Sequence, residues 1–175
     1  MPRPGDRRSA LFLVAALSLG LARLAGAQET PEGEPGPERL GMRIVSIKAS
    51  GKLKGEKPSL NPNIRAYSAL LTPLGYDFYR GLDAEIQEAK GQQPVNFRRL
   101  PLHYQASVSW SKDAEGRLTL DLSITRPSQE PDQKAPVKVL DLKVKSPSGQ
   151  HFLVRIEGVY PDGDMLLLVT AQLQP

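Results

Sequence analysis

His103 and His151 are the only histidines in the 175 residues, and there is no cysteine. A zinc or copper site usually takes three or four His, Cys or carboxylate ligands, often with close pairs, and the sequence supplies no such set. His103 falls on the polar side of an alternating stretch and His151 opens another, so both read as exposed strand histidines. The absence of cysteine excludes a thiol nucleophile and a lipid-modified cysteine anchor. No serine lies in a G-x-S-x-G elbow. No Walker loop or G-x-G-x-x-G offers backbone amides to a phosphate. The chemistry left open is that of a protein without catalysis, cofactor or bound metal.

Weaker groupings remain. Asp162-Gly163-Asp164 offers two carboxylates to calcium but lacks the other oxygen ligands at loop spacing, and a hairpin turn explains it better. Asp83, Glu85 and Glu88 include two carboxylates that could serve as an acid/base pair, although glycosidases set such a pair in a deep cleft. Alternating acids on a polar strand face, as Asp83 and Glu85 are, explain them better. Lys52, Lys54, Lys57, Arg65, Arg98 and Arg99 would make a basic patch if the fold brought them together. Tyr76, Phe78 and Tyr79 could stack on a sugar, but Phe78 reads as core with the tyrosines at its rim.

The elements that must position these residues begin after an export signal. Arg3, Arg7 and Arg8 precede an apolar run, Ala10 to Ala22, that closes on Ala25-Gly26-Ala27. A basic start, a short apolar centre and small residues before Gln28 are what signal peptidase reads, with Ala25, Ala27 and Gln28 flanking the cut. The run is too short to span a bilayer comfortably, so no transmembrane span is expected after cleavage. Residues 28–175 then hold 19 Lys and Arg against 18 Asp and Glu. A net charge of +1 gives no support to nucleic-acid binding. A domain of this size buries roughly 70% of its unfolded surface without a disulfide staple. An exported chain with no cystine, cut after A-x-A, points to the bacterial periplasm or the cell exterior.

Residues 28–41 carry Pro, Gly and Glu with Leu40 as the one apolar residue, so they read as a flexible acidic lead-in. A single β-rich domain is expected over 42–175. Val45, Ile47 and Ala49 predict a strand, and Asn61-Pro62 a helix start with Asn as the cap. Ile64, Tyr67, Leu71 and Leu74 predict one helix over about 62–72. Phe78, Leu82, Ala84 and Ile86 share a parity, and residues 82–90 read as strand or helix. Leu102 to Trp110 and Leu118 to Ile124 alternate strictly about Gly116 and predict a β-hairpin. Three more strands are expected near 137–145, 151–160 and 165–173. Short strands with Gly/Pro punctuation and one early helix predict a mainly β (α+β) fold, an antiparallel β-sandwich or curled sheet.

The last of these strands is apolar on both faces, with Met165, Leu167 and Val169 on one and Leu166 and Leu168 on the other. A half-solvated strand should not be. The helix stripe is expected to cover Leu166 and Leu168; otherwise they form an interaction surface.

Taken together, Ala49-Ser50, Leu60-Asn61-Pro62-x-Ile64, Leu74-Gly75-Tyr76-x-Phe78-Tyr79 and Leu100-Pro101-Leu102 resemble small exported bacterial β-rich proteins of uncharacterised function. The resemblance spans about residues 43–173. It implies export and a β-rich fold, and it brings no activity, cofactor or catalytic residue. The expected function is therefore a non-enzymatic exported domain that binds another cell-envelope component, above all a protein. The alternative is a soluble binder of glycan or another small ligand. The interaction candidates are Leu166, Leu168, Lys52, Lys54, Lys57, Arg98 and Arg99.

Overall fold

A computed structural model describes residues 38–52, 55, 57–128 and 135–174. The signal, its cleavage site and residues 28–37 of the acidic lead-in lie outside the described residues. Among the described residues nine strands form two sheets, and the fold is mainly β with one short helix, as the alternation predicts. The first sheet has the order β2-β3-β1-β9-β8, with β1 Arg39–Ser50, β2 Ser59–Leu60, β3 Phe78–Lys90, β8 His151–Tyr160 and β9 Gly163–Gln174. The second has the order β4-β5-β6-β7, with β4 Val95–Phe97, β5 Gln105–Lys112, β6 Leu118–Arg126 and β7 Val137–Ser146. By contact the described residues form two compact units. One is Ile44–Ala84 with Phe152–Val169; the other is 38–43, Glu85–His151 and 170–174.

The core of the first unit is Val45, Ile47 and Ala49 of β1, Ile64 and Leu71, Tyr79 of β3, and Leu166 and Leu168 of β9. Tyr67, Leu70 and Leu74 pack against it. The helix stripe read from the sequence therefore covers the second apolar face of β9. The helical stretch is longer than expected and mostly 3-10: Pro62–Tyr67, then α1 Ser68–Leu71, then Thr72–Leu74. Gly75, at φ 74°, ends it in the left-handed conformation that glycine adopts without cost. The expected side-chain cap is absent. Asn61 makes no side-chain cap bond, and its carbonyl accepts the Ile64 N–H at 3.1 Å instead.

In the second unit the β5–β6 hairpin has the anticipated register, with Val108 opposite Leu122 and Trp110 opposite Leu120. Leu120 and Ile124 then meet Val144 and Leu140 of β7. The opposite face is polar and wet, pairing Gln105 with Thr125, Ser107 with Ser123 and Ser109 with Asp121. Such alternation is expected of an antiparallel sheet with one solvated face. Gly116 supplies the positive φ of the turn, at 77°.

Several expectations are corrected. Strand β1 starts at Arg39, and Leu40 is fully buried, so residues 39–41 are strand rather than lead-in. The short strands β2 and β4 were not anticipated. Residues 82–90 are strand. Strand β5 begins at Gln105, which leaves Leu102 and His103 in a 3-10 turn instead of on a strand. Phe78 is 58% exposed while Tyr79 is 1% exposed, the reverse of the expected core and rim. Tyr79 turns inward because its hydroxyl donates to the Leu71 carbonyl at 2.6 Å, a bond that an outward ring could not make.

Candidate functional site

Asp164 is where the first unit concentrates its charge. The side chain is 11% exposed, and both of its oxygens accept hydrogen bonds. Oδ2 accepts from Arg155 Nε and Nη2, both at 2.8 Å, and from the Tyr76 hydroxyl in a short bond; Oδ1 accepts the Gly158 N–H at 2.7 Å. Burial alone would push its carboxyl up. The hydrogen bonds from Tyr76, Gly158 and Arg155 outweigh that and hold it below the usual range. Burial, with the anionic acceptor beside it, pushes the Tyr76 hydroxyl well above its ordinary value. Arg155 also lies 5.4 Å from the Tyr76 ring centre, and the Tyr76 and Tyr79 rings meet edge to face at 5.8 Å. This arrangement ties β8 and β9 to the segment after the helix, with Oδ2 of Asp164 taken up by three donors.

Asp162 is exposed at the turn and pairs with Lys48 at 2.7 Å. Among the described residues no three His, Asp or Glu come together as a metal site would need. Gly163, between the two acids, is a packing requirement as well as a turn residue. A Cβ there would stand 2.0 Å from the Ala49 carbonyl oxygen. The sequence singles out Tyr76 only as a sugar-stacking candidate and gives no signal for Arg155. Their shared acceptor is nine and 88 residues away, and neither spacing belongs to a motif.

The second unit holds a different arrangement, at loop 98–103. Glu85 Oε2 accepts the backbone amides of both Arg98 (3.1 Å) and Arg99 (2.9 Å), and Oε1 accepts Gln87 Nε2 at 2.8 Å. The carboxylate once considered as an acid or base is thus a clamp on the loop backbone. Leu100 and Tyr104 are buried on either side, and the Tyr104 N–H donates to the Pro101 carbonyl at 3.2 Å. Between these anchors Leu102 (φ 55°) and His103 (φ 60°) are both left-handed. That conformation costs about 1–2 kcal/mol per non-glycine residue. Leu102 is 54% exposed, Arg98, Arg99 and His103 are exposed, and neither guanidinium has an ion-pair partner among the described residues. The fold therefore presents two free cations and an apolar tip on a stiffened backbone, and it does so against a conformational cost.

The other candidates are placed as follows. Lys52 and Lys57 are exposed in the first unit, as is Arg65, whereas Arg98 and Arg99 belong to the second. Lys54 lies outside the described residues. Asp83 Oδ1 accepts its neighbour's N–H, from Ala84, at 2.7 Å, and Glu88 is exposed. His151 Nδ1 lies 2.6 Å from Thr170 Oγ1; burial and the nearby Arg43 charge depress its pKa. Leu166 and Leu168 are 0% and 1% exposed, beneath the helix stripe. A shallow depression of about 170 Å³ lies on the polar face, lined by Asn96, Arg98, Gln105, Ser107, Ser123 and Thr125 among others. Among the described residues no helix is long and apolar enough to cross a membrane.

No family model and no curated protein matches the chain. Among solved structures it is weakly similar to the secretin-domain β-barrel of InvG from the Salmonella SPI-1 injectisome NC-base, at 12% identity and a TM-score of 0.38. It is also weakly similar to the InvG secretin of that type III secretion injectisome in its open-gate state, at 11% identity and a TM-score of 0.33. In each case 80% of this chain is covered, against 63% and 61% of the other, so it spans less than two thirds of those structures. At this distance neither the architecture nor the role of the secretin carries over to this chain.

Proposed function

We propose that the protein is a non-enzymatic exported domain that binds another component of the bacterial cell envelope, above all a protein, and that loop 98–103 is the contact. Export rests on the basic, apolar and A-x-A features of residues 1–27. The single observation that carries the binding reading is the stiffened loop itself. Its carboxylate clamp, two unpaired arginines and 54% exposed Leu102 combine the features of a binding loop on a rigid support. Arginine with an apolar anchor is also the composition enriched at protein interfaces. The partner that fits is an acidic surface with a small apolar recess.

The second reading, a binder of glycan or another small ligand, draws on the amide- and hydroxyl-lined depression beside Arg98. At about 170 Å³ it falls below the roughly 300–1,000 Å³ of ordinary ligand clefts. The two readings separate when immobilised exported protein is offered envelope extract and, in parallel, a glycan array. The protein reading predicts capture of a discrete protein that Arg98→Glu/Arg99→Glu and Leu102→Ser each abolish, at an unchanged melting temperature. Glycan retention that survives both variants would favour the second reading and overturn the first.

A further inference from the structure

Three of the four large apolar side chains exposed among the described residues lie on one side of β3: Phe78 at 58%, Leu82 at 36% and Ile86 at 68%. Phe78, Arg80, Leu82, Ala84, Ile86, Glu88 and Lys90 are all exposed, whereas of the odd-numbered residues Tyr79 and Ala89 are buried, Gly81, Glu85 and Gln87 half-buried and only Asp83 exposed. The strand also has an open edge. Strand β2 pairs with it only at Ser59↔Phe78 and Leu60↔Tyr79, and among the described residues no other strand lies on that side in the sheet order. The chain protects another of its edges. Strand β7, at the end of its sheet, carries exposed Lys138, Lys143 and Lys145. Charged edges of that kind are how sheet proteins prevent strand addition. The open edge of β3 carries exposed Leu82, Ala84 and Ile86 among the charges of Asp83, Glu88 and Lys90.

We infer that β3 pairs with β3 of a second copy of this chain, antiparallel, about a two-fold axis at Ala84. Direction and register follow from the residues. The Asp77 and Tyr79 carbonyls accept amides from the β2 side, so odd-numbered residues aim their backbone groups at the open edge. In that pairing Asp83 meets Glu85 of the second copy and Gly81 meets its Gln87, each pair exchanging N–H···O bonds. On the exposed face Leu82 meets Ile86 of the second copy, and Arg80 meets its Glu88, twice over by symmetry. Centring on Glu85 would set Arg80 against Lys90 and Leu82 against Glu88. Centring on Leu82 would require the edge that β2 already occupies. Centring on Ile86 would place Lys90 against Leu82. Facing acids at Asp83 and Glu85 are the cost of the favoured register, moderated because Glu85 already accepts three N–H donors. A two-fold contact of this kind closes on itself as a dimer instead of extending into a fibre. It shares Glu85 with the clamp on loop 98–103, but no residue of the loop takes part in the pairing.

A chain with no cysteine allows a direct test. At the axis, paired residues of a non-hydrogen-bonded site lie about 4.5 Å apart between Cα atoms, inside the range that a disulfide spans. Ala84→Cys is expected to give a disulfide-linked dimer rapidly under mild oxidation, while exposed Ser109→Cys stays monomeric. In sedimentation, Arg80→Glu and Glu88→Arg should each weaken the dimer on the order of tenfold, and the double reversal should restore it. Cross-linking of Ala84→Cys no faster than Ser109→Cys, or a wild-type monomer at about 100 μM, would overturn the inference. So would a dimer indifferent to the single reversals, which would place the contact elsewhere. Protection of β3 only when envelope extract is added would assign the edge to another protein, and would equally overturn pairing with a second copy.

Discussion

Asp164→Asn removes one charge from the most heavily bonded side chain of the first unit while keeping its shape. The carboxylate accepts two bonds from Arg155, one from Tyr76 and one from the Gly158 N–H. Whichever way the amide is turned, its nitrogen faces at least one donor, and the Arg155 side chain, 32% exposed, loses the Asp164 charge and keeps only Glu157 at 3.5 Å. Breaking a fully buried pair costs about 3–5 kcal/mol. Partial exposure of Arg155 reduces this to about 2–4 kcal/mol, which in a domain of this size lowers Tm by roughly 10 °C. Arg155→Met should cost a similar amount, and the double variant less than the sum of the two, because the groups share one interaction. The pH dependence has a definite sign. The carboxyl of Asp164 is depressed in the folded state. Its stabilisation is therefore complete above the unfolded value near 3.9 and is lost as pH falls from there through the folded value. The gap between wild type and Asp164→Asn, followed by thermal melts from neutral pH to pH 3, should narrow on the acid side. A neutral-pH loss below about 2 °C, or a gap that does not narrow with acid, would refute the reasoning.

Other positions respond for different reasons. Gly163→Ala drives a methyl to 2.0 Å from the Ala49 carbonyl oxygen, so β1 or β9 must shift; a loss of about 3 kcal/mol or more is expected in urea unfolding. Leu168→Asp buries a carboxylate among Ile47, Ile64 and Leu71, and its far-ultraviolet circular dichroism should be that of an unfolded chain at 25 °C. Intact mass of the exported protein should correspond to a chain beginning at Gln28, since Ala25 and Ala27 fit the peptidase rule. Elemental analysis after gel filtration without chelator should find less than one calcium or zinc per chain, because three donors take up Oδ2 of Asp164 and Asp162 is paired with Lys48.

The β5–β6 hairpin was legible because both strands alternate strictly and one face is wet, so a period of two also says which side is core. The same rule failed at β3. There Phe78, Leu82, Ala84 and Ile86 carry the apolar signal but face outward, while Tyr79 and half-buried Gly81 face in. Gly81 is read poorly by any hydropathy pattern. It faces inward because a Cβ there would stand 2.7 Å from the Asn63 side chain and 2.8 Å from Ile64, a constraint set by a helix packed across the strand. The covering of Leu166 and Leu168 was legible, since a strand apolar on both sides demands a lid and only one amphipathic stripe was free. Loop 98–103 was legible in part. Arg98 and Arg99 stood out by charge, but their clamp depends on a carboxylate 13 and 14 residues earlier, and alternation placed Leu102 in a strand.

The account turns on whether loop 98–103 touches another protein in the envelope. A photoreactive amino acid at position 102, irradiated in the producing cells, reads that contact where it is made. The account predicts a discrete adduct of protein mass, lost when Arg98→Glu/Arg99→Glu is added and absent when the same group stands at exposed Lys138 of β7. No adduct at 102, or the same adducts at 102 and 138, would contradict it.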